Sequence, residues 1–73
     1  MRGDLQRTVG RNLRRYRQVR GLSQEAFAAE VLKVHRTRAG AIERGERNLT
    51  LQTVEQIADR TGLDPLDLLT PAG

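Results

Sequence analysis

The side chains of this 73-residue chain that could do chemistry are arginines and amides rather than metal ligands or activated nucleophiles. There is no cysteine, which excludes a disulfide framework and a thiolate metal site, and His35 is the lone histidine. No metal site and no cofactor are expected. Glu25, Glu30 and Glu43 have no nucleophile or metal set beside them, so the chain does not read as an enzyme. What remains is polar recognition. Twelve of the thirteen cations are Arg, whose planar forks suit phosphate and guanine better than an ammonium does. They are unevenly spread. Residues 1–24 hold seven Arg against Asp4, a balance of +6, residues 25–47 balance at +1, and residues 48–73 at −3. A basic front with an acidic tail predicts a polyanionic partner on one side only.

Hydrophobic spacing predicts the elements that must position these groups: five short helices in one domain, residues 1–73, with no strand pattern and no internal repeat. Helix 1 spans about 4–20, capped by Asp4 and stopped by Gly21, with Leu5, Val9, Leu13 and Tyr16 on one face. Ser23 caps helix 2, about 23–32, whose inward residues are Phe27, Ala28 and Val31 or Leu32. Helix 3 spans about 35–44, with Ala39 and Ile42 inward and Gly45 at its end. Thr50 caps helix 4, about 50–60, with Leu51, Val54, Ile57 and Ala58 as its buried stripe. Asp64-Pro65 opens helix 5, about 64–69. Arg11, Arg14 and Arg15 read as a solvated face, and residues 71–73 as a frayed end. No apolar run approaches the roughly 20 residues of a membrane span, and no apolar stretch follows the N-terminal charges as in a secretion signal. A cytoplasmic protein with no membrane partner is expected.

An ordered set of pieces carries a resemblance. They are Val9-Gly10, Leu13-Arg14, Tyr16-Arg17, Gly21-Leu22-Ser23-Gln24-Glu25, Phe27-Ala28, Val34-His35-Arg36-Thr37, Ile42-Glu43-Arg44-Gly45-Glu46-Arg47-Asn48-Leu49-Thr50, Ile57-Ala58 and Gly62-Leu63-Asp64-Pro65 with Asp67-Leu68-Leu69. At this spacing the chain resembles the phage-repressor/Cro-like helix-turn-helix regulators, within them the single-domain type that includes restriction–modification controller proteins. The resemblance implies an all-α, compact five-helix bundle of the lambda-repressor-like kind. Such a domain binds double-stranded DNA, usually as a two-fold homodimer on a palindromic operator with helix 3 in the major groove. The first residues of helix 3 then face base edges: Arg36, Thr37 and Arg38, and one turn on Gly40 and Ala41, the last two small enough for close approach. Arg38 stays open between base, phosphate and solvent. Ser23, Gln24, His35, Arg44, Arg47 and Asn48 are the expected phosphate contacts. The resemblance also implies a partly buried ion pair between Arg17 and Glu43. Leu66 and Leu69 are the expected dimer surface.

The middle of the motif departs from the pattern. Five residues, Ala29 to Lys33, stand where the family usually has four ending in Gly, and Ala39 stands where a larger aliphatic is usual. Either Leu32 or Val31 fills the volume that Ala39 leaves, or helix 2 gains a residue and Lys33 takes a left-handed conformation. His35 is a mediocre cap compared with Ser or Thr. A rival reading is an antitoxin-like interaction module that binds a protein partner first and DNA secondarily.

Overall fold

The computed structural model describes residues 4–46 and 49–71, and within them the chain is all-α. Arg47, Asn48, Ala72, Gly73 and the Asp4 side chain lie outside the described residues, and with them the expected Asp4 cap and most of the expected frayed end. The helix α1 spans Asp4–Val19. Val9 and Leu13 are fully buried on it and Tyr16 packs at the edge of the core. Leu5, expected on the same buried face, is exposed. The helix outruns its partner there, since the Gly45 exit of the third helix already lies against Arg7. At Gly10 the backbones nearly touch: a Cβ would sit 2.4 Å from the Glu43 carbonyl oxygen and 2.6 Å from that of Ile42.

The helix α2 opens as one α-helical turn, Gln24–Ala26, with the Ser23 hydroxyl accepting from the Ala26 amide at 3.0 Å. It then widens into a π-helical segment, Phe27–Leu32. The amide of Lys33 returns to the Ala28 carbonyl, and so does that of Val34 at 3.0 Å. Widening the turn is how a helix takes in an additional residue without losing its backbone bonds. Lys33 ends the segment at φ 59, ψ 41, the left-handed conformation usually left to Gly. The two accounts of the long connection are therefore halves of one arrangement. The helix gains its residue, Lys33 turns left-handed, and Leu32 is buried in the core that Ala39 also lines, with Val31 packed at its edge. Arg60 donates from Nη1 to the Leu32 carbonyl, satisfying an acceptor that the helix end leaves open.

The helix α3 spans Arg36–Glu43, with Ala39 and Ile42 buried. Gly45, at φ 72, turns the chain away and returns its amide to the Ile42 carbonyl at 3.1 Å. The helix α4 spans Leu51–Thr61; Thr50 accepts from the Thr53 amide at 3.0 Å. Val54, Ile57 and Ala58 are buried, but Leu51 is 77% exposed. It sits on the first residue of the helix, where the predicted stripe runs off the end of the core. The helix α5 spans Pro65–Leu69 behind an Asp64 cap. Leu68 is fully buried on it and Leu69 half-buried. Asn12 ties this end of the chain to α1, its Nδ2 donating to the carbonyls of Asp67, Leu68 and Thr70 at 3.1, 2.8 and 3.0 Å.

Candidate nucleic-acid interface

Helix α3 is short and only weakly amphipathic, and it is fixed mainly by its last turn. The close approach at Gly10 brings α1 onto its final carbonyls. Beside that contact Glu43 is buried, and Arg17 meets it with a parallel pair of bonds, Nε to Oε2 at 2.9 Å and Nη2 to Oε1 at 3.2 Å. The Glu43 side chain is 3% exposed and that of Arg17 13%. A carboxylate at a helix C-terminus opposes the helix dipole, and the guanidinium fork offsets that. Two further donors join the corner: Arg17 Nη1 reaches the Leu22 carbonyl at 3.0 Å, and Gln24 Nε2 reaches Glu43 Oε1 at 3.3 Å. Ring packing supports the same corner, with Tyr16 and Phe27 centroids 5.8 Å apart and the Arg20 guanidinium over the Tyr16 ring.

In the first turn of α3 only Ala39 is buried, and the outward side chains are open to solvent. Arg36, Thr37 and Arg38 are all exposed and Ala41 is half-buried. His35 caps the helix with its ring, Nδ1 accepting from the Thr37 amide at 3.1 Å. That bond requires the tautomer with its proton on Nε2, which leaves an N–H directed away from the helix to donate elsewhere. Ser23 and Gln24, at the start of α2, are exposed on the same side of the domain as α3, to which Gln24 is hydrogen-bonded.

Gly40 differs from its expected role. It is buried, because Arg44 and Gln24 lie over it. A Cβ there would meet Arg44 Nη1 at 3.0 Å and Gln24 Oε1 at 3.9 Å. Its smallness seats those two side chains instead of opening a path for a base. The local charges are partly self-compensated. Arg36 faces Glu25 at 3.8 Å and Arg44 pairs with Glu46 at 3.0 Å, both exposed, and such pairs contribute little against solvent. Arg47 and Asn48, expected phosphate contacts, lie outside the described residues.

Of the expected dimer residues, Leu66 is 70% exposed while Leu69 packs against the core. Leu51 joins Leu66 as a second exposed leucine on the adjoining helix. Nothing in the sequence singles out Asn12 or Arg60. Each acts on backbone carbonyls of an element remote in sequence, and neither residue type nor spacing marks such a bond. No helix of the described residues is long and apolar enough to cross a membrane.

A helix-turn-helix family model matches residues 13–68 of this chain. Control protein C.SmaI of Serratia marcescens is 40% identical over 70 residues, which cover 96% of this chain and 82% of that protein. Among solved structures, a hypothetical transcription factor NHTF from Neisseria superposes with a TM-score of 0.80 at 34% identity, over 93% of this chain and 77% of that one. The restriction-modification controller protein C.AhdI from Aeromonas hydrophila gives 0.70 at 33% identity, over 86% and 90%.

Proposed function

The chain belongs to the helix-turn-helix family and is a DNA-binding transcriptional regulator; from that premise we propose that it works as a homodimer on a palindromic operator, with α3 laid in the major groove. The observation that carries this reading is the division of α3 into a bolted last turn and an open first turn. Arg36 and Thr37 present a guanidinium fork and a hydroxyl at the end that enters the groove. An Arg fork pairs with guanine O6 and N7 and discriminates against other bases by about 1–3 kcal/mol. Ala41 lies one turn on, beside a thymine methyl or the groove floor. Ser23, Gln24, His35 and Arg44 surround this face and set register through phosphates, which position the domain without reading sequence. Arg47 and Asn48 extend that set along the exit loop.

A second copy covers Leu66 and Leu51. Two large exposed leucines on the adjoining helices α4 and α5 offer it apolar surface to bury. Likeness to a control protein and to a restriction-modification controller supports a role of that kind, in which the concentration of the regulator sets operator occupancy.

Selection from a random duplex pool tests the reading. The expected result is a palindromic consensus, with Arg36→Ala relaxing preference at one position per half-site. Failure to enrich any sequence at any salt concentration would refute it.

A further inference from the structure

Between the end of α2, the outer side of α3 and helix α4 lies a cleft of about 220 Å³. Its floor is apolar, from Leu32, Ile42 and Ile57, and its rim carries three cations: Lys33, Arg38 and Arg60. No carboxylate lines it, and among the described residues none of the three forms an ion pair. Helix geometry explains the one-sided charge. At about 100° per residue, Ile57 and Arg60 share one side of α4 while Glu55 and Asp59 turn to the other. The lengthened connection supplies the remaining parts. Lys33 reaches the rim because it ends the widened turn in the left-handed conformation, and Arg60 is held there by the Leu32 carbonyl.

The position of the cleft relative to α3 points to its occupant. Arg38 is two residues beyond Arg36, roughly 200° around the helix, on the flank away from Gln24 and Arg44. A helix with side chains is about 10–12 Å across and the major groove about 12 Å wide, so a helix seated there meets a phosphate strand on each flank. Gln24 and Arg44 stand on one flank, and the cationic cleft stands on the other. We propose that the cleft between α2, α3 and α4 is a phosphate site that takes a phosphodiester of the second DNA strand, held by Lys33 and Arg38 beside the fixed Arg60. This rests on the DNA-binding reading and moves Arg38 from base reading to backbone contact.

The test is the salt dependence of binding by the whole chain to its selected duplex, with Lys33→Asn and Arg38→Gln. Asn tolerates the left-handed conformation, and thermal unfolding should show both variants at least as stable as the parent. Each lost phosphate contact lowers the slope of log affinity against log salt by about 0.9. The proposal expects that drop for each variant, by the same amount on the selected and on unrelated duplexes. Unchanged slopes with parent-level affinity overturn it. So does an Arg38→Gln variant that loses preference at a single base pair, because Arg38 then lies in the groove. Titration with inorganic phosphate in the absence of DNA separates the other source. Saturable binding that both variants abolish, with DNA slopes unmoved, makes the cleft a free-anion site and overturns the DNA assignment. If the unaltered chain retains no duplex, both readings fall; if it binds and only the variant slopes stay fixed, this one falls alone.

Discussion

Replacing Arg17 with Met isolates the contribution of the ion pair that anchors α3. The change keeps most of the stem and removes the fork, leaving Glu43 with a side chain 3% exposed and only the 3.3 Å bond from Gln24. The Leu22 carbonyl loses its donor as well. Breaking a buried pair from one side costs about 3–5 kcal/mol, because the remaining charge stays out of water. Domains carry roughly 0.05–0.15 kcal/mol of stability per residue, which for this chain is on the order of 4–11 kcal/mol, so the loss takes about a quarter or more of the total. At about 4–8 °C per kcal/mol for a domain of this size, the melting temperature should fall by at least about 12 °C. The double variant Arg17→Met with Glu43→Met should recover most of that, since two apolar side chains replace a buried pair at little cost. Thermal and urea unfolding of the three proteins measure it. A single variant within about 1 kcal/mol of the parent would refute the reasoning, as would a double variant no more stable than the single.

Two further substitutions probe the backbone. Gly10→Ala places a methyl 2.4 Å from a main-chain oxygen that cannot swing aside, so α1 and α3 must separate. A loss of about 3 kcal/mol is expected despite the better helix propensity of Ala, and a parent-like urea midpoint would show that the helices are not in contact there. Lys33→Gly relieves the one non-glycine positive φ among the described residues and should raise stability by about 1 kcal/mol. Equal or lower stability in the same urea experiment counts against strain at that residue.

Element boundaries are legible in the sequence because their punctuation is local. Ser23, Thr50 and Asp64 cap with their own side chains, and Gly21, Gly45 and Gly62 stop helices with positive φ. Leu5 and Leu51 show where pattern reading ends. Periodicity gives the face of a residue, not whether a neighbouring helix extends far enough to cover it. The π-helical segment is only half visible, since the count of five residues before Val34 signals a misfit but not how the backbone absorbs it. Arg17 and Glu43, 26 residues apart, are paired by resemblance to a family, not by any local pattern. Gly40 reads as an opening because its small size says nothing of which side chains lie across it. The cationic cleft needs three helices in place before Lys33, Arg38 and Arg60 become neighbours.

Helix α3 is in effect a cantilever. Its root is clamped by the Gly10 contact, by Ile42 in the core and by Glu43 in its ion pair; at its tip, beyond the buried Ala39 and the partly buried Val34, the outward side chains of His35 and Arg36 are held by one ring nitrogen and an exposed pair. Local opening is cheapest where buried contacts are fewest, so amide exchange should quicken steadily from the root toward the tip. The reading end can therefore follow the small step-to-step variations in shape along a duplex while the mounting end keeps its bearing. Stiffening the tip would then sharpen preference among near-identical sites and narrow the range of sites the protein accepts.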